Sequence, residues 1–175
     1  MSIPMPTSNR KLVRLALLVS VGLILYIFEA HIPQPLPWVR IGLANLVTLL
    51  ALVLWGFWEA LAVLLLRVLL GSVFTGTMLS PVFPFALAGG LAGVLAMGLA
   101  RRFLHPPLSV VGISILGALA HNVSQLLLAY SLYIRRNELF LLLPPILLST
   151  LLTGCVIGLV AALVTARGVV ESWQT

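Results

Sequence analysis

Apolar positions run in helix-length blocks, cut by short polar and helix-breaking segments. The blocks cover about Leu12 to Phe28, Ile41 to Phe74, Val82 to Ala100, Leu108 to Tyr133 and Pro144 to Ala166. Between them lie a proline-rich stretch from Glu29 to Arg40, then Ser80-Pro81, Arg101-Arg102 with His105-Pro106-Pro107, and Arg135-Arg136-Asn137-Glu138. About 20 apolar residues carry a helix across a hydrocarbon core of ~30 Å. The block from Ile41 to Phe74 would be about 51 Å long as one helix, so it must be two spans. The break falls at Trp55-Gly56-Phe57-Trp58-Glu59, where glycine loosens the helix, two tryptophans suit the membrane interface and Glu59 favours water. The pattern therefore predicts an all-α membrane protein, a compact bundle of six transmembrane helices at about 12–28, 41–55, 58–75, 82–100, 108–133 and 144–166, forming a single transmembrane domain.

The first block follows Arg10, Lys11 and Arg14, as a cleaved signal peptide would. Its exit, Glu29-Ala30-His31-Ile32-Pro33, lacks a small-x-small cleavage site, so the block is kept as helix. With both termini cytoplasmic, Arg10, Lys11, Arg14, Arg101, Arg102 and Arg167 lie inside and Arg40, Arg135 and Arg136 outside, in accord with the positive-inside rule. This places the proline-rich connection, the turn from Thr75 to Pro84 and the loop from Arg135 to Pro145 on the outer face, where together they could roof a pocket.

Composition agrees with a bilayer as solvent: 61% of residues are hydrophobic and 8% charged, against roughly 25% charged in soluble domains. The net charge of +6 does not imply nucleic acid, because the basic residues flank apolar spans and form no basic face. Cys155 stands alone in an apolar run and reads as packing. The sequence has no GxxxxGK[ST] phosphate loop, no HExxH helix and no GxSxG elbow. It contains no Asp, and its four Glu are widely separated, which argues against an enzyme holding metal for diphosphate chemistry. No catalytic residue, metal or cofactor is assigned, and the expectation is a binder rather than an enzyme.

Polar groups inside spans are the informative exceptions, because each is costly unless paired or facing a cavity. Arg67 sits near the middle of the third span. It is either a structural anchor, paired with Glu29, Glu59 or Asn45, or a cationic contact for a ligand carboxylate or phosphate. Ser114, Gly117, His121 and Gln125 recur on one face of the fifth span, with Asn122 beside them. They serve either as interhelical glue or as directional ligand contacts. Gly154 and Gly158, extended by Thr150 and Ala162, make a small packing face. Ala16 and Ser20, with Gly22 close to the same side, could meet a neighbouring helix or a partner subunit. In the proline-rich segment, Glu29, His31, Trp38 and Arg40 supply hydrogen-bonding and stacking groups at the mouth of the bundle, beside its simpler role as a stiff connector.

The run EAHIPQPLPWVRIGLANLVTLLAL from Glu29 to Leu52, RVLLGSVFTG from Arg67 to Gly76, and FALAGGLAGVLAM from Phe85 to Met97 resemble the Gx transporter family. That family also carries the label heptaprenyl diphosphate synthase component I, and the likeness covers roughly residues 15 to 165. It implies kinship with the S components of energy-coupling factor transporters, six-helix subunits that capture micronutrients on the outer side. A transmembrane coupling subunit and cytoplasmic ATPases would then energise transport. Such S components meet the coupling subunit through small residues on helix 1, a pattern that Ala16 and Ser20 only approximate. The expected ligand is a small anionic or zwitterionic molecule, with Arg67 and Arg40 giving positive charge and His121, Asn122 and Gln125 orientation. The synthase label implies instead a non-catalytic membrane partner of a polyprenyl diphosphate synthase. A solitary secondary transporter using Glu29 or His121 as proton relay is a third reading.

Overall fold

A computed structural model of the chain describes residues 7–32, 42–104 and 108–166, with side chains from Lys11 onward. The described residues form six α-helices: α1 (Thr7–His31), α2 (Asn45–Leu54), α3 (Phe57–Phe74), α4 (Val82–Leu104), α5 (Val110–Leu132) and α6 (Leu143–Ala166), with a short 3-10 segment (Asn137–Leu142) leading into α6. Five of the helices are long and apolar enough to cross a membrane. The chain is a multi-pass membrane protein of the all-α bundle class.

The exception is α2, which is shorter than the span of about 41–55 read from the sequence. α2 has 10 residues, about 15 Å of helix, half of a hydrocarbon core. The apolar run from Ile41 hid this, since hydropathy does not say where a helix begins. The shortness is tolerated because α2 is shielded from lipid: Val47 through Leu52 are all buried. α1 packs on α2 and α3, α3 on α4, α4 on α5 and α5 on α6, while α2 also touches α4 and α6. A half-length helix thus fills the centre, where irregular backbone can find protein partners.

Local chemistry sets the ends of the helices. Between α2 and α3 the carbonyl of Ala51 accepts from the N–H groups of both Trp55 and Gly56, and Gly56 takes φ 119°, a region costly for any residue with a Cβ. Ser109 caps α5 by accepting from the Gly112 N–H at 3.2 Å. Pro144 and Pro145 stand in the first turn of α6, where a missing N–H costs nothing.

Close helix approach rests on small residues. A Cβ at Gly158 would stand 2.6 Å from the Cα of Val111, and one at Gly154 3.0 Å from the Cα of Ile115, so α6 lies directly on the α5 backbone. Thr150 and Ala161 are fully buried on the same helix. Ala161 rather than Ala162 is the fully buried alanine here, since the buried face runs through Thr150, Gly154, Ile157 and Ala161 at helical spacing.

The two ends of the bundle differ in charge. Lys11 pairs with Glu59 at 2.5 Å, and Arg101 donates to the carbonyl of Val53 at 3.1 Å. The start of α1, the α2–α3 turn and the end of α4 therefore share one end, the one that the positive-inside rule assigns to the cytoplasm.

Candidate functional site

Buried polar residues of α1, α2, α3 and α5 line two cavities inside the bundle. Arg67 lies about 15 Å into α3 from Phe57, near the middle of a ~30 Å hydrocarbon layer. It is 4% exposed, and its Nη2 donates to Asn45 Oδ1 at 3.1 Å and to Thr48 Oγ1 at 3.4 Å, both on α2. Glycine makes room for it: a Cβ at Gly22 of α1 would stand 3.2 Å from Arg67 Cδ. Glu29, near the outer end of α1, is also buried, and its carboxylate accepts from the backbone N–H of Gly42. Gly42 has φ 86°, so the chain enters α2 through a left-handed residue that presents its N–H to an α1 carboxylate.

Glu29, Arg67, Asn45, His121 and Gln125 line a single cavity together with Tyr26, Gly42, Val68 and Ala86. Five helices thus contribute to it: the polar side chains come from α1, α2, α3 and α5, and α4 supplies Ala86. Tyr26 is held by Ser72 of α3, oxygen to oxygen 3.2 Å. Gln125 donates to the carbonyl of Phe85 at 3.2 Å, while its Oε1 is buried with no hydrogen-bond partner among the described residues. A Cβ at Gly89 would come within 2.8 Å of His121 Cε1 and 3.0 Å of Gln125 Cγ, so Gly89 is the seat on which both side chains rest.

A second cavity adjoins the first and shares Gly42, Asn45 and His121 with it, adding Ser114, Gly117, Asn122 and Thr153. Asn122 donates to Thr150 Oγ1 of α6 at 2.6 Å, and its own Oδ1 is buried with no partner among the described residues. The two cavities have volumes of about 10 and 20 Å³, room for a water or so each. Ligand pockets run to about 300–1,000 Å³, so a nutrient-sized molecule requires these helices or the entrance to part.

The face read from the fifth span is inward: Ser114, Gly117, His121 and Gln125 are all buried on α5. Arg67, His121, Gln125, Asn45 and Glu29 meet in one cavity, and Asn122 lines the neighbouring one. His31 does not join them. It is exposed in the last turn of α1 with Nδ1 2.8 Å from the Ile27 carbonyl, because two residues after Glu29 is about 200° around the helix. Arg40 and the connector from Pro33 to Ile41, including Trp38, lie outside the described residues.

Ala16 and Ser20 are exposed on α1, with the Ser20 hydroxyl donating to the Ala16 carbonyl at 2.8 Å. Gly22 turns inward to Arg67 and is not on their side, again because two residues rotate the helix past a half turn. Thr48, Ser72 and Gly42 carry no signal as site residues in the sequence, and Tyr26 carries one, its i, i+3 relation to Glu29. Gly89 reads there as a small residue for close helix approach.

Electrostatically, the site combines a guanidinium, a carboxylate and the N-terminal end of α2. The start of a helix carries a partial positive charge, and no side chain caps this one at Ala44. Among the described residues, no group of three His, Cys, Asp or Glu is placed to hold a metal.

A helical membrane bundle with a polar, glycine-seated chamber at mid-depth is the class these features define. The chain belongs to the family of heptaprenyl diphosphate synthase component I, whose pattern it matches over residues 18–164. No curated protein and no solved structure matches it.

Proposed function

We propose that the chain is the substrate-binding membrane subunit of an ATP-driven uptake system, taking a small anionic or zwitterionic solute into the chamber around Arg67. The observation that carries this reading is the convergence of Glu29, Asn45, Arg67, His121 and Gln125 from four helices on one cavity. A broken or half-length helix whose N-terminus faces a mid-membrane site is a recurrent device for holding an anionic group. α2 begins there, next to Arg67. The forked guanidinium suits a carboxylate or phosphate, and Glu29, which lines the same cavity, suits an ammonium, which makes a zwitterion a good match. The present cavity would be the closed state, with opening needed for entry.

No reaction is assigned to this site: the role is capture, not catalysis. The sequence has no ATP-binding loop, so a coupling subunit and cytoplasmic ATPases would have to supply the energy. Ala16 and Ser20, exposed on α1, are the small residues available for that contact.

The family's description supports a second reading, a non-catalytic membrane component working beside a polyprenyl diphosphate synthase. Purification from native membranes, followed by mass spectrometry of the proteins and small molecules retained, separates the two. ATPase subunits together with a polar solute are expected. A soluble prenyl synthase with no retained solute and no ATPase would sink the transport reading.

A further inference from the structure

A larger opening lies at the other end of the bundle. Between the α2–α3 turn and the last turns of α4 runs a groove of about 560 Å³, lined by Leu52, Gly56, Phe57, Trp58, Leu95, Gly98, Leu99, Arg101 and Arg102. One half is apolar and open to the bilayer, since Trp58, Leu95 and Leu99 are all exposed. The other half carries two guanidinium groups.

We infer that this groove binds an anionic phospholipid of the cytoplasmic leaflet, its phosphate between Arg101 and Arg102 and an acyl chain along Trp58, Leu95 and Leu99. The inference is independent of the chamber around Arg67. Charge complementarity carries it. Both charged residues lining the groove are cationic, and the acid of the turn, Glu59, is committed to Lys11 on the α1 side. Arg101 is held in place by its Nη2, which donates to the Val53 carbonyl at 3.1 Å, while its Nη1 is buried with no hydrogen-bond partner among the described residues. A buried guanidinium nitrogen with an unmade bond is costly, and a turn of the side chain toward the groove would bring it to a phosphate oxygen.

Arg102 is exposed, with its Cζ 5.6 Å from the ring centroid of Phe103, where it can swing to a headgroup. The groove also takes in the first residues of α3, whose N-terminus has no side-chain cap and adds a partial positive charge beside the two arginines. Basic pockets between helices at the cytoplasmic surface are where anionic headgroups bind, at about 1 kcal/mol for each cationic side chain.

The test is competitive lipid retention by the intact protein, read by native mass spectrometry. Protein in detergent receives equal amounts of phosphatidylglycerol and phosphatidylcholine with identical acyl chains. Two cationic contacts correspond to about thirtyfold preference for phosphatidylglycerol. Arg102→Gln should lower that preference about fivefold, and Arg101→Gln/Arg102→Gln should abolish it. Arg102 is exposed, so its variant decides the matter even if the double variant fails to fold. Equal retention of both lipids by the wild type, or an unchanged preference in Arg102→Gln, overturns the proposal. Displacement of phosphatidylglycerol by stoichiometric farnesyl diphosphate also overturns it, by assigning the groove to a prenyl diphosphate. Displacement by inorganic phosphate alone would remove the acyl-chain part and overturn it likewise.

Discussion

The chamber at mid-depth and the groove at the cytoplasmic end both present arginine, yet they are built in opposite ways. Arg67 is enclosed by α1, α2 and α3, bonded to two α2 side chains, and left with space for a water or so. Arg101 and Arg102 border an open volume of about 560 Å³. In hydrocarbon an ion must be surrounded by protein dipoles before it is tolerable, whereas at the interface lipid headgroups and water do that work. Opening the chamber therefore requires helices to part, while the groove is open without any rearrangement of the fold.

The comparison breaks most completely if the helices around the chamber are forced apart. Gly158→Ile would drive a branched side chain into Val111 and Ser114, where even a Cβ meets backbone at 2.6 Å. The expected loss is about 3 kcal/mol, read as a fall in thermal unfolding temperature in detergent. Stability near that of the wild type would mean that α5 and α6 are not in backbone contact.

Arg67→Ala should cost the chamber its retained solute by about tenfold or more, the worth of a charge-assisted hydrogen bond. Arg67→Lys keeps the charge without the fork and should fall between. Solute retention by mass spectrometry, set beside thermal unfolding of the same preparations, decides the role. Lowered stability with retention unchanged would make Arg67 an anchor for α2 and nothing more.

A matched pair of glycines then sharpens the contrast between the two ends. A Cβ at Gly89 meets His121 and Gln125, and a Cβ at Gly98 meets Phe57 Cδ2 at 2.5 Å beneath the groove. Both alanine variants should lose about 1 kcal/mol by overpacking. Only Gly89→Ala should also release the chamber's solute, and equal retention by both variants would dissociate His121 and Gln125 from binding. Smaller again is Asn122→Ala, which removes the bond to Thr150 and should cost about 0.6 kcal/mol, the average for interhelical hydrogen bonds in bilayers. Thr150→Val in the same background should then add little, because the two residues share that bond.

Much of this architecture was legible in the sequence, because a bilayer punishes mistakes in patterning. Arg67 stands out as a charge in an apolar span, and the spacing of Ser114, Gly117, His121 and Gln125 puts them on one face of the fifth span, which the fold turns inward. What stayed hidden depended on tertiary context. Nothing in the apolar run after Ile41 reveals that α2 starts at Asn45, since a buried half-helix and a lipid-facing span share the same composition. Gly22 and Gly89 look like any small residues in a membrane helix, and their service to Arg67 and His121 appears only when the neighbouring helix is present. His31 was grouped with Glu29 by proximity in sequence, although helical geometry puts them on opposite sides.

The weakest expected effect lies at the cytoplasmic end, where charge meets water. The Lys11–Glu59 pair has a short 2.5 Å separation, but the lysine side chain is 49% exposed. Exposed pairs are worth about 0–1 kcal/mol, because holding two long side chains costs entropy and the solvent screens the attraction. Lys11→Gln should therefore lower stability by no more than about 0.5 kcal/mol, and the difference should shrink as salt is raised past about 0.1 M, where the Debye length is about 10 Å. Thermal unfolding of the variant and wild type across a salt series measures this directly. A loss several times larger and independent of salt would show that the pair is desolvated, and that the cytoplasmic end is as closed to water as the chamber around Arg67.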